Sequence, residues 1–389
     1  MSGTGASAAR VIHGARKLDA DGQVDDFWLA IERGTIVATG TGPGWRAYSD
    51  GSEATDAAGH WLTPGFIDLH AHGAGGFAYE GGRDAILGAL ATHRAHGTTR
   101  AVLSLVANPI AELCANLALI ADLTDDDPLV LGSHLEGPFL NVARKGAHNP
   151  EYLPGVVDLE AVELLIGAGR DTLRQITLAP ELEGALEAID VLVEAGVHVA
   201  VGHTEATFEQ ARAAFDRGAR LLTHAFNAMP GIGHRAPGPV IAALDDDRVT
   251  IEVIMDGFHV HPDVARVVFD EAPHRVAMIT DAMAAAGYAD GEYRLGSLDV
   301  VVTDGQAWLA DGSTIAGSTL TQDVALKVAI ERARVAPNAA VEALTLTPAR
   351  ALGREHELGR LAVGYLADAV LLDHEWRVRS VWGAGERLV

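Results

Sequence analysis

Two histidines separated by one alanine, His70 and His72, lie near the end of the stretch "TPGFIDLHAHGAGG", Thr63 to Gly76. On a β-strand, residues i and i+2 share a face. The two imidazoles therefore project together, as nitrogen donors to a divalent cation must. Further polar residues close later apolar runs: His134 and Glu136 in "HLEGP", His203 in "GHTEA", His224 and Asn227 in "THAFNAM". His259 and His261 follow in "DGFHVHP", and Asp281 in "ITDAM". Taken singly, each has an ordinary alternative: a core or surface pair in a turn for His70 and His72, a helix N-cap for Asp281. Taken together they are too many, because buried polar groups without partners are costly and scattered core histidines should be few. Imidazole and carboxylate donors without thiolates match zinc or a similar divalent ion in a hydrolytic site. Such an ion brings the pKa of its water to near ~7. Asp281 is then placed as the general base that takes the water's proton and returns it to the leaving group.

Positioning donors so far apart in sequence needs a closed scaffold. From about Leu62 to Met283 the chain alternates short apolar, β-branched runs with longer amphipathic stretches. The strand-like runs are "LTPGFIDLHAH", "TTRAVLSLV", "LVLGSHLEGP", "LRQITLAPE", "VHVAVGHTEA", "ARLLTHAFNAM", "VTIEVIMDGFHV" and "HRVAMITDAM". Continuous apolar strands are typical of a parallel sheet covered on both faces. Eight strands alternating with helical segments predict a (β/α)8 TIM-type barrel, whose chemistry collects at the C-terminal ends of the strands. "PGPVIAALDDD" is the weakest helix of the set. The flanks Val11–Gly40 and Gly359–Gly383 instead alternate with a period of two. Neither makes a stable sheet alone, so they predict a small β-sandwich domain built from both chain ends, residues 1–57 with 357–389, around a barrel spanning 58–356. Residues 287–316 read as a β-rich excursion before a last helix, "STLTQDVALKVAIERARV".

Composition narrows the partners. The formal charge is −24, from 29 basic and 53 acidic residues, which argues against nucleic acid and anionic membranes, since both need a basic footprint. Cys114 is the only cysteine; it sits in a helical pattern and reads as a buried, inert thiol. "MSGTGASAAR" lacks the apolar stretch of a secretory signal, and no run approaches the ~20 apolar residues of a membrane span. The expectation is a cytoplasmic protein.

"PGFIDLHAHG", "HLEGPFLN…KGAHNP", "GHTEA", "THAFNAM", "DGFHVHP", "ITDAMAAAG", "IAGSTLT" and the tail "TPARALG…ADAVLLD" together resemble the N-acetylglucosamine-6-phosphate deacetylase family of the amidohydrolase superfamily. The likeness covers nearly the whole chain after the first ten residues. It implies hydrolysis of N-acetylglucosamine 6-phosphate to glucosamine 6-phosphate and acetate. By the resemblance, Glu136, His203 and His224 hold the principal metal and Asp281 is the catalytic acid/base. His70 and His72, absent from some members, imply a second ion bridged by Glu136, so one or two ions, most simply Zn2+, per subunit. Sugar and phosphate would be bound through Ala147, His148, Asn227, Ala228, Arg235, His259 and the turn Ile315, Ala316, Gly317. The resemblance further implies a homodimer in which Arg235 reaches the neighbouring subunit's site. His148 or His259 is a candidate donor to the oxyanion.

Many superfamily relatives bridge two metals with a carbamylated lysine on strand four. The lysines here are Lys17, Lys145 and Lys327, none of them in that strand, which argues against dihydroorotase-like activity. Two other readings remain: a different amidohydrolase activity, such as a deaminase or a deacetylase for another N-acyl amino sugar, and a non-catalytic barrel scaffold.

Overall fold

The runs that read as strands do form strands in the computed structural model, which describes residues 10–49 and 53–389. The first nine residues, including most of the stretch compared with a signal, lie outside the described residues. The barrel strands are β1 (Phe66–Ala71), β2 (Thr98–Val106), β3 (Val130–Glu136), β4 (Leu173–Leu178), β5 (His198–Val201), β6 (Leu221–Leu222), β7 (Thr250–Ile254) and β8 (Val276–Ile279). Each is parallel to the next. Every residue of β2 and β3 is buried, the reason these strands read as unbroken apolar runs.

The ring closes between β8 and β1 just beyond the regular ladder. Asp281 N donates to His70 O (2.8 Å), and His72 N donates to Ala282 O (2.7 Å). Thr280 Oγ1 donates to the buried Asp68 Oδ2 (2.6 Å). The seam of the barrel thus runs through three of the residues singled out for chemistry, His70, His72 and Asp281.

Helices follow the strands on the outside: α1 (Arg83–Ala95), α2 (Ile110–Asp126), α3 (Leu159–Gly169), α4 (Ala185–Glu194), α5 (Phe208–Asp216), α6 (Gly238–Leu244), α7 (Pro262–Glu271) and α8 (Gln322–Glu331). Thr207 and Gln210 start α5 with a reciprocal capping box. The expected weak helix is α6, only 7 residues long. Cys114 on α2 is half-buried rather than buried; what burial it has pushes the thiol pKa up, which keeps it a poor nucleophile. Among the described residues no helix is long and apolar enough to cross a membrane.

The chain ends build one hydrogen-bonded sheet of eight strands. Arg10–Asp19, Gly22–Glu32 and Thr35–Thr41 form an antiparallel meander. Its second turn has Arg33 at φ 50° and Gly34 at φ 78°, the two positive φ values of a type I′ hairpin turn. Glu53–Asp56 and Trp61–Pro64 join it in parallel, and Ala369–Leu372 pairs antiparallel with Trp61–Pro64. Residues 61–64, assigned to the barrel by the expected boundary at 57, are therefore strand partners of the tail. Between β8 and α8, Gly291–Leu295, Leu298–Thr303 and Gln306–Leu309 form the β-rich excursion, packed on Val106 and Met283.

A buried ion pair ties the two sheets together. Arg100 on β2 donates through Nε to Asp368 Oδ2 (2.6 Å) and through Nη2 to Oδ1 (3.0 Å), and its Nη1 reaches Pro128 O (2.5 Å). Asp368 also accepts from Ala384 N (2.7 Å). Removing one partner strands the other charge in the interior. Arg100→Met is expected to lower unfolding stability by about 3–5 kcal/mol, read from the urea midpoint. The double substitution Arg100→Met with Asp368→Leu should recover most of that loss. An R100M variant as stable as the parent would show that the pair does not hold the sheets together.

Candidate active site

The strand ends converge as the barrel requires. Among the described residues, two groups of donors lie close enough to hold an ion: His70, His72, Glu136 and Asp281, and Glu136, His203 and His224. All six side chains are buried, and Glu136 belongs to both groups. Its Oε1 is 3.0 Å from His203 Nε2 and 2.9 Å from His224 Nε2, which are themselves 3.0 Å apart. On the other side, Oε2 is 3.2 Å from His72 Nε2. His70 Nε2 and His72 Nε2 are 3.1 Å apart, with Asp281 Oδ1 at 3.5 and 3.3 Å from them.

Backbone hydrogen bonds decide which nitrogens carry protons. The Arg144 carbonyl can only accept, and His203 Nδ1 lies 2.8 Å from it. Nδ1 is therefore the protonated nitrogen, and the Nε2 lone pair faces Glu136 and His224. Lone pairs packed this way repel unless a cation sits among them. Ligands on a tetrahedral zinc with bonds of ~2.0–2.1 Å are about 3.3 Å apart, close to the spacing found here. The donor set fits a divalent ion in either group. His148 is the opposite case. Ala107 N–H can only donate, and it points at His148 Nδ1 (3.2 Å). In the neutral ring Nε2 then carries the proton, and it lies 3.3 Å from Glu136 Oε2.

Local backbone aims these groups. His203, His224 and Asp281 have φ of 47°, 26° and 49°, left-handed conformations that non-glycine residues adopt rarely and that cluster where function requires them. Asn227 steadies the turn after β6 by donating from Nδ2 to His224 O (3.1 Å). At Gly146 (φ 54°) a Cβ would stand 3.0 Å from His203 Cε1, so the loop crosses the ring only because that residue is glycine.

The electrostatics favour positive charge. Burial opposes protonation of His70, but the charges of Glu136 and Asp281 outweigh it and hold its pKa well above the usual value. Burial likewise opposes protonation of His72, and hydrogen bonds to Asp281 and Glu136 bring it up to about 9. Burial works to raise the Asp281 carboxyl, yet the neighbouring His70 and His72 leave it below the usual value. Burial takes His148 the other way, down to about 4, with Glu136 only partly opposing, so this ring is neutral near pH 7.

Above the donors opens a cavity of about 220 Å³ lined by Ala147, His148, Asn227, Ala228, His259, Ile315 and Gly317, all expected, and by Gly146, Leu295 and Thr314, which were not. Two expected site residues, Ala316 and Arg235, and two rim candidates, His261 and His134, lie away from the cavity lining. Ala316 is fully buried behind the turn, its side chain packed with Met283 and Leu295. Arg235 is exposed in the loop before α6 and does not line the cavity. His261, on the expected rim, instead caps α7 by accepting from Asp263 N (3.3 Å). His134 lies inside the barrel between Ser104 Oγ and Thr177 Oγ1, both at 2.9 Å. A wider groove of about 970 Å³, beside Phe77, Tyr288 and Arg294, gathers no such donors among the described residues.

Several polar residues near the site escaped sequence reasoning: Asp68, Gln175, Glu252 and Asp256. Asp256 takes a hydrogen bond from His259 Nδ1 (2.6 Å). Asp68, pushed up to about 6 by burial, binds the closing strand as described. The available signal was a carboxylate or amide inside a β-branched strand run, as Glu252 in "TIEVI" and Gln175 in "LRQITL". A strand covered on its outer face can direct such a side chain only into the barrel.

Known proteins resemble this chain in sequence and fold. The sequence model of the Amidohydrolase family matches residues 61–386. N-acetylgalactosamine-6-phosphate deacetylase of Escherichia coli O157:H7 is 39% identical over 97% of this chain and 98% of its own. N-acetylglucosamine-6-phosphate deacetylase of Vibrio furnissii is 36% identical over 98% and 94%. A mutant of the N-acetyl-D-glucosamine-6-phosphate deacetylase of Mycobacterium smegmatis, solved in complex with N-acetyl-D-glucosamine-6-phosphate, superposes with a TM-score of 0.93 at 40% identity, covering 98% of this chain and 100% of that one. The chain belongs to the amidohydrolase family, in the branch of the N-acetylglucosamine-6-phosphate deacetylases.

Proposed function

We propose that this chain is a metal-dependent deacetylase that hydrolyses N-acetylglucosamine 6-phosphate to glucosamine 6-phosphate and acetate. The observation that carries the reading is one carboxylate, Glu136, shared by two donor groups beneath a cavity the size of a small ligand. Glu136, His203 and His224 would hold the principal ion, most simply Zn2+, and His70 and His72 with Glu136 would hold a second. When bound, such an ion polarises the amide carbonyl and makes a water molecule acidic enough to supply hydroxide at neutral pH. Asp281 takes the attacking water's proton at Oδ1 and delivers it to the departing sugar nitrogen. The neutral His148 donates its Nε2 proton in a hydrogen bond to the acetyl oxygen as negative charge builds there. Ala147, Ala228 and Gly317 leave space for the sugar ring.

The phosphate needs cations, and no Lys or Arg side chain lines the cavity among the described residues. His259, its ring oriented by Asp256, offers Nε2. Arg235 supplies the planar guanidinium suited to phosphate oxygens, reaching it from the second subunit of a homodimer. The compartment we assign is the cytoplasm, where phosphorylated sugars are metabolised. A second substrate reading has its own support: the 39% identical relative is named for N-acetylgalactosamine 6-phosphate. Acetate release from the two epimers, with and without phosphate, decides between them. No release from any of the four with zinc added would overturn the deacetylase reading.

Three substitutions test the roles. Asp281→Asn removes the acid/base and is expected to cut kcat by about 10²–10⁴-fold with metal content, measured by elemental analysis, unchanged. Glu136→Gln should instead strip the ions from the purified protein; full occupancy would contradict its place in both groups. Arg235→Ala should raise KM for the phosphorylated sugar by about 10–100-fold, the loss of a charge-assisted bond of roughly 1.5–3 kcal/mol, and leave the unphosphorylated sugar unaffected. An equal loss on both sugars would place the arginine elsewhere in the mechanism.

A further inference from the structure

One carboxylate near the site has no part in the chemistry above. Glu252, in the middle of β7, is fully buried, and among the described residues no Lys or Arg pairs with it. An ionised carboxylate in such a place is costly unless hydrogen bonds and a nearby cation compensate. Its contacts are specific. Oε1 accepts from Gln175 Nε2 of β4 (2.8 Å). Oε2 lies 3.4 Å from His70 Nδ1 and accepts from the backbone N–H of His224 at 3.4 Å. Glu252 therefore touches one member of each donor group without facing either ion position.

We infer that Glu252, braced by Gln175, is the positioning residue of the second cation site, aiming His70 Nε2 at the ion it would share with His72 and Glu136. The inference rests on the metal-binding reading of that cluster. An imidazole that binds a cation through Nε2 must carry its proton on Nδ1, and a carboxylate behind Nδ1 selects that tautomer and makes the ring a better donor. The four cluster histidines are not supported equally. His203 Nδ1 meets a backbone carbonyl, whereas His72 Nδ1 and His224 Nδ1 have no hydrogen-bond partner among the described residues. His70 alone has a carboxylate behind it. Gln175 holds the far oxygen, so Oε2 stays turned towards His70.

The test is a zinc titration of the full-length protein against a competing chelator, with stoichiometry from elemental analysis. The parent is expected to bind two ions per chain. In Glu252→Gln, which keeps the shape and removes the charge, the second ion should weaken by about 10–100-fold, as loss of an outer-shell partner does, while the first keeps its affinity. Gln175→Met, which frees the carboxylate but leaves it charged, should weaken the second ion by less; it also serves if E252Q fails to fold. Three results would overturn the assignment: two ions bound by E252Q at parental affinity, equal loss of both ions, or a parent that binds one ion only. Acetate release by the same parent preparation reports on the deacetylase reading separately. Activity with an unaffected second ion would leave that reading standing and remove Glu252 from it.

Discussion

The structure depends on crowding donor atoms from distant strands into one small volume. Glu136 Oε1, His203 Nε2 and His224 Nε2 all lie within about 3 Å of each other, and Oε2 meets a second pair of imidazoles on its far side. Left to itself, such a cluster would spread apart. The barrel prevents this by fixing each donor to a strand end that cannot move independently of its neighbours. The left-handed turns at His203, His224 and Asp281, and the glycine that crosses the His203 ring, are local features that a less constrained chain would relax.

This requirement also organises charge. The chain carries −24 overall and directs several of its carboxylates inward, so its centre attracts cations while its exterior repels anions. The cavity lining carries the same sign: Glu136 and Asp281 line it, and no Lys or Arg does among the described residues.

Much of this could be read from the amino acids because a parallel barrel is simple to parse. Strands buried on both faces are apolar throughout, so a histidine or acid at the end of one stands out, and the donors Glu136, His203, His224, His70 and His72 were all visible in that way. Residues in the interior were not. Glu252, Gln175 and Asp68 sit within strands, where one polar letter among apolar ones shows neither its face nor its partner. Depth was equally hidden: His134 and Glu136 share a strand and a face, but the first lies a layer lower and bonds to hydroxyls. Of the turn 315–317, Ile315 and Gly317 line the cavity while Ala316 turns away, a difference set by how the excursion packs. Arg235 is exposed in the loop before α6, and neither its type nor its Gly/Pro surroundings say how far it lies from the cavity.

The sheet made from both termini has a consequence for how the protein comes into being. Trp61–Pro64 emerges from synthesis early, but its antiparallel partner Ala369–Leu372 follows about 300 residues later, a separation that makes pairing slow. Throughout that interval one flank of the nascent sheet has open backbone groups, the kind of edge on which neighbouring chains can aggregate. Arg100 waits 268 residues for Asp368, so the barrel and the sheet lock together only in the last stage of folding.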